Sequence, residues 1–335
     1  MWSVLLTLLL FTWTPEHAQA APLTTEQCIP EAGDKTYDII VVTDMDKDSR
    51  TSEWTWRALT RKGMAFMKNE RSKVEVTWDP SSDQNVTTHL NMKGRAMELS
   101  DLVKFNGHLL SPDDKTGMIY EIEGNKAIPW IFLNSGRGDT TSGMKAEWMT
   151  LKDGQLYVGG HGMEYRDKTG KVYSRDAMWI KIVSPEGVVK HVDWTSNYND
   201  IARAADVTSP GYLTHEAVQW SEIHKRWFFL PRKYSIEAYD EKADERKGTN
   251  LLITADETFS EISVLEIGDR IHTERGYSAF DFMPGTCDTV ILALKSMELE
   301  DNTASYITAF NTEGTILLED QPLDGDLKFE GLYFL

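Results

Sequence analysis

Short runs rich in Val, Ile, Thr and aromatic residues alternate apolar and polar positions along most of the chain, and Gly, Asp and Asn interrupt them. A period of two broken by turn formers predicts strands joined by tight connections, with little helix. The expected fold class is all-β.

Four segments follow one plan: a polar residue, an alternating strand, a turn, then a second apolar strand. They are SDLVKFNGHLL from Ser100, EWMTLKDGQLYVGG from Glu147, EAVQWSEIHKRWFFL from Glu216 and SAFDFMPGTCDTVILAL from Ser278. Three place Gly seven positions after the polar residue; the Glu216 segment turns through Glu222 to Arg226 without one. A fifth start, Glu330-Gly331-Leu332-Tyr333-Phe334, ends the chain, and the run from Tyr37 to Asp44 is its natural partner. The starts lie 47, 69, 62 and 52 residues apart, room each time for a four-stranded blade. The reading is a single five-bladed β-propeller closed by strands from both ends of the chain.

If each polar residue opens the innermost strand of its blade, Ser100, Glu147, Glu216, Ser278 and Glu330 face the central channel at one level. Three converging carboxylates repel unless a cation neutralises them, and an all-oxygen shell suits calcium (Ca2+). The alternative is five ordinary strand-start residues with no metal.

Composition narrows the setting. Residues 2–12 (WSVLLTLLLFT) followed by Ala18-Gln19-Ala20 read as a signal peptide cleaved after residue 20, so residues 21–36 become a lead-in and 37–335 the propeller domain. A secreted chain without a membrane anchor is expected. The formal charge of −18 argues against nucleic acid or an anionic membrane as partner. Cys28 and Cys287 are the only cysteines, and in a secreted chain they suggest one disulfide joining the lead-in to a late strand. Asn85-Val86-Thr87 is a glycosylation sequon.

Other motifs exclude more than they assign. Asp44-Met45-Asp46-Lys47-Asp48 opens like an EF-hand loop, but Ser49 and Thr55 stand where Gly and Glu are required. There is no P-loop, His-Glu-x-x-His or Gly-x-Ser-x-Gly signature. Arg137-Gly138-Asp139 spells an integrin-recognition tripeptide in a polar loop, while His161, His215 and His224 lack zinc spacing. Trp148, Phe228, Phe229 and Phe282 are expected in the core.

Six ordered blocks resemble the calcium-activated nucleotidase family: MELSD at 97–101, KAEW at 145–148, GYLTHE at 211–216, RWFFLPR at 226–232, DERKG at 244–248 and FEG at 329–331. The likeness extends to the secreted salivary apyrases of blood-feeding insects, of the sand fly type. The resemblance implies hydrolysis of ATP and ADP to AMP and phosphate, with an axial calcium held by the five polar starts. It also implies Asp44, Glu98 and Asp114 as candidates to orient the attacking water, and Arg232, Arg246 and Lys145 as phosphate-binding cations. Met163 and Met178 depart from vertebrate members, which would carry a lysine and an acid, and this suggests a preference for adenine nucleotides. A monomer that removes platelet-activating ADP in saliva is the expectation. The competing readings are a calcium propeller of the lactonase or phosphotriesterase kind, and a secreted propeller that binds a small ligand or presents Arg137-Gly138-Asp139 to integrins.

Overall fold

The computed structural model describes residues 28–68, 71–167, 171–269, 271–300 and 302–335; the expected signal peptide lies outside them. The chain is built from strands, with one helix of ten residues, Thr195–Ala204. The last strand, Lys328–Phe334, lies antiparallel on the first, Lys35–Asp44, which pairs in turn with Thr55–Lys68, and that with Lys73–Thr88. The two ends of the chain therefore complete one sheet, as the run from Tyr37 predicts.

A single parallel bridge, Thr87 to Lys126, ties this sheet to a second four-strand run, Val103–Phe105, His108–Pro112, Met118–Glu123 and Lys126–Phe132. Three separate four-stranded antiparallel sheets follow in chain order. They begin with the strands Trp148–Lys152, Tyr212–Ser221 and Arg275–Phe282. In each, the leading strand and its partner are the pair marked by the sequence repeat.

Neighbouring sheets face one another across apolar layers. Trp148, Trp194, Trp227, Phe229 and Phe259 fill one, and Ile39, Val41, Leu292, Ile307 and Phe329 another. Trp227 and Phe229, like Ile39 and Val41, stand on alternate strand positions, while Trp194 and Phe259 pack in from the loops beside the sheet. Side chains on the leading strands supply the polar ties between sheets. Asp101 Oδ2 accepts from Met149 N (2.6 Å), Thr150 Oγ1 donates to Gln219 Oε1 (2.7 Å), Gln219 Nε2 donates to Phe280 O (3.0 Å), and Ser278 Oγ donates to Phe329 O (3.0 Å).

Cys28 and Cys287 form a disulfide that spans 259 residues of sequence. It pins the lead-in to the last of the three separate sheets, where Glu31 N also donates to Gly285 O (2.9 Å). Closing so long a loop restricts the unfolded chain, so the double Cys→Ser variant is expected to lose about 2–4 kcal/mol of stability in urea unfolding. An unchanged urea midpoint would mean that the paired end strands already hold the closure alone.

Candidate functional site

Three polar starts sit at irregularities in their strands. Where Tyr212–Ser221 pairs with Arg226–Ser235, His215 faces Pro231 and Ala217 faces Leu230, leaving Glu216 as the extra residue. In the same way Ser278 is passed over between Tyr277 and Ala279, and Glu330 between Phe329 and Gly331. Such bulges break the alternation of a strand and re-aim a side chain. Glu147 and Ser100 lie ahead of their strands, each held by a backbone bond to the neighbouring strand, Glu147 N to Gly159 O (2.8 Å) and Ser100 N to Pro112 O (3.2 Å).

The charged side chains from these separate sheets gather in two ion-pair groups, one on Lys145 and one on Arg232, Lys328 and Arg95, which adjoin where Asp114 meets Asp44 and Glu98. A single guanidinium nitrogen of Arg232, Nη1, donates to Glu330 Oε1 at 2.5 Å and to Glu216 Oε2, while Nη2 reaches Glu298 Oε2 at 2.7 Å. Lys145 Nζ bridges Asp114 Oδ2 (2.5 Å) and Glu147 Oε1. Lys328 Nζ contacts Asp44 and Asp46, both at 2.8 Å, with Glu298 at 3.4 Å and Glu330 at 3.8 Å. Arg95 grips both oxygens of Glu98 and also reaches Asp46.

Backbone geometry makes room for this network. Gly276 is the clearest case, since a Cβ there would lie 2.4 Å from Arg232 O and 2.5 Å from its Cγ. Only glycine lets the Arg275–Phe282 strand pass so close beneath the arginine.

Burial sets the electrostatics. Glu98 is only 1% exposed, and burial, reinforced by the charge of Asp114, pushes its carboxyl up to about 7 against the pull of Arg95. Burial likewise raises Glu330 well above the carboxylate range, although Lys328 and Arg232 pull the other way. Arg232, in reply, is held firmly protonated: its own burial disfavours the charge, but Glu216, Glu330 and Glu298 outweigh that. Ser100 Oγ is buried and has no hydrogen-bond partner among the described residues, whereas Ser278 Oγ donates to Phe329 O.

Asp44, Glu98 and Asp114 also converge, each offering one carboxylate oxygen within 4.8 Å of the others. An isolated bridge between Asp44 and Glu98 and the bond from Asp114 N to Glu98 O (3.0 Å) fix their backbones. Arg246 stands apart: it is exposed beside the short helix Glu241–Asp244 and makes none of the ion pairs that tie the network.

Lys328, Arg95 and Glu298 escape the sequence argument. One signal could have found the first. Lys328 precedes Glu330 by two positions, as Lys145 precedes Glu147, and in extended chain that spacing keeps both side chains on one face.

The remaining motifs lie elsewhere. Arg137 Nε and Asp139 Oδ2 pair with each other at 2.6 Å on an exposed loop, so the tripeptide closes on itself. Asn85 is exposed, its Oδ1 accepting from Arg57 Nη1 at 3.1 Å. His161 and His215 are buried and held neutral, burial pushing both down to about 3. Met163 and Met178 line one cavity of about 1040 Å³ together with Tyr198, Tyr212 and Arg175. No helix among the described residues is long and apolar enough to cross a membrane.

Comparison with known proteins places the chain. The family model described as Apyrase matches residues 45–335. The chain is 46% identical over 316 residues to the soluble calcium-activated nucleotidase 1 of Mus musculus, covering 94% of this chain and 77% of that protein. It is 39% identical to the apyrase of Cimex lectularius, covering 94% and 86%, and 32% identical to the apyrase of Phlebotomus duboscqi, covering 89% and 88%. Family model and relatives agree over nearly the whole length: the chain belongs to the apyrase family and is an enzyme of the nucleoside phosphatase class.

Proposed function

We propose that this protein is a secreted, calcium-dependent apyrase that hydrolyses ATP and ADP to AMP and phosphate on a single five-bladed β-propeller. Its blades are the four-stranded units described above. The observation that carries the reading is the meeting of Glu216 and Glu330, from separate sheets, at one nitrogen of Arg232 with Glu147 beside them. Buried acids drawn from different sheets to one point carry a mutual repulsion that a bound cation would offset.

Ser100, Glu147, Glu216, Ser278 and Glu330 suit calcium on their chemistry: all donors are hard oxygens, three bear charge, and the buried hydroxyl of Ser100 has no other partner among the described residues. When bound, the ion would offset charge on phosphate oxygens.

The chain's own groups would do the rest. Asp44, Glu98 and Asp114 would orient the attacking water, and one of these carboxylates would take its proton. The water oxygen bonds to the terminal phosphorus, and the bond from that phosphorus to the bridging oxygen breaks, leaving AMP or ADP with the electron pair. Lys145 and Arg232 would bind the phosphates as fixed cations, while Arg246, exposed and outside the network, would contribute only from the periphery. The cavity at Met163 and Met178 takes the base, its thioethers favouring adenine. Secretion fits the disulfide, and saliva is the setting in which removal of ADP would block platelet activation.

Phosphate release from ADP and UDP should be measured with calcium, with magnesium and with a calcium chelator. Release that needs calcium, fails with magnesium and favours ADP is expected. Equal release with magnesium would overturn the calcium assignment, equal turnover of UDP the base preference, and no release in any condition the enzyme itself.

A further inference from the structure

The ion-pair network is not balanced. Arg95, Lys145, Arg232 and Lys328 are shared among Asp44, Asp46, Glu98, Asp114, Glu147, Glu216, Glu298 and Glu330, eight carboxylates against four cations. One calcium on the axis would offset two of the four excess charges. Two would remain, among carboxylates of which only Asp46 and Glu298 are about half exposed, facing a substrate that is itself a polyanion.

The excess has a location. Asp44, Glu98 and Asp114 are 4%, 1% and 9% exposed, and their nearest carboxylate oxygens lie within 4.8 Å of one another. Asp114 Oδ1 is buried and has no hydrogen-bond partner among the described residues, its other oxygen being taken by Lys145. A buried acceptor left unmatched is costly, more so when it is charged, so an orphan carboxylate oxygen beside two further acids points to a cationic ligand. Arg95 and Lys328 do not stand in for it. Each binds from its own side, Arg95 on Glu98 and Lys328 on Asp44, and each oxygen they touch keeps a second lone pair. Three hard, charged oxygens held by backbone bonds suit a small divalent ion that completes its shell with water.

We propose that Asp44, Glu98 and Asp114 form a second divalent-cation site beside the axial one, filled by calcium. The inference rests on the apyrase reading only for the axial ion with which it shares the network. A cation here cancels the remaining negative charge and lets a nucleoside diphosphate approach.

Calcium bound per chain, measured by equilibrium dialysis of the whole secreted protein without nucleotide, tests it. Two ions per chain are expected in the parent, one in Asp114→Asn and one in Glu330→Gln, each variant first checked for a native far-UV circular dichroism spectrum. Asp44→Asn serves as an independent second variant should Asp114→Asn misfold. One ion in the parent, lost in Glu330→Gln and kept in Asp114→Asn, overturns the second site and leaves the axial one standing. One ion lost in Asp114→Asn and kept in Glu330→Gln overturns the axial site instead. Two ions in both variants overturn the assignment of either group.

Discussion

Replacing Arg232 by glutamine is expected to lower kcat/KM for ADP by about 10²- to 10³-fold at saturating calcium, and stability by about 3 kcal/mol. The size follows from the number of groups one side chain serves. Its guanidinium contacts Glu216, Glu330 and Glu298, and glutamine reaches at most one of them without bringing charge. Two buried carboxylates would then lose their counter-ion, the situation in which breaking a buried pair costs most. Lysine at the same position tests geometry apart from charge, because an ammonium is a compact point charge without the fixed planar fork that meets Glu216, Glu330 and Glu298 here. Arg232→Lys should therefore recover part of the stability and little of the rate. Rates within threefold of the parent for both variants would show that Arg232 serves neither phosphate nor the acids.

Much of the architecture is legible in the sequence, because the repeat is written in the strands that carry most burial. Ser100, Glu147, Glu216 and Ser278 each introduce a strand pair that the structure contains, and the run from Tyr37 meets the last strand in register. The disulfide is legible for a simpler reason, since only two cysteines exist and the ends of the chain must meet. The directions of the side chains are harder to read. The bulges at Glu216, Ser278 and Glu330 turn those residues out of the strand alternation, yet only Glu330 has a glycine beside it. Lys328, Glu298 and Arg95 are invisible for a different reason: each is one charged residue among many on an acidic, strand-rich chain. Only the fold brings Glu298 of one sheet and Lys328 of another to within 3.4 Å. Arg246 shows the converse, a cation in a family-like block that the structure leaves exposed and outside the network.

Glu330→Gln separates a metal role from a structural one, because only the metal role makes the change in stability depend on calcium. Glutamine keeps the shape of the side chain and removes a charge that is 3% exposed and close to Glu216 and Asp44. If Glu330 only pairs with Arg232 and Lys328, losing that buried pair would destabilise the protein equally whether calcium was present or not. If it also holds the axial ion, the variant should fall further behind the parent in thermal stability with calcium than with a calcium chelator, because it gains much less from the added ion. Losing one of three charged ligands is expected to weaken calcium about 100-fold, which at saturation removes about 2.7 kcal/mol of ligand-derived stability. The calcium needed for half-maximal phosphate release should rise by the same factor, while Glu298→Gln serves as a control. Its carboxylate bonds the same Arg232 and Lys328 but is half-exposed and has no place among the axial donors, so its calcium requirement should stay within about threefold of the parent. A Glu330→Gln variant with an unshifted calcium requirement would take this residue out of the metal shell and reduce the convergence of acids on the axis to an ion-pair network.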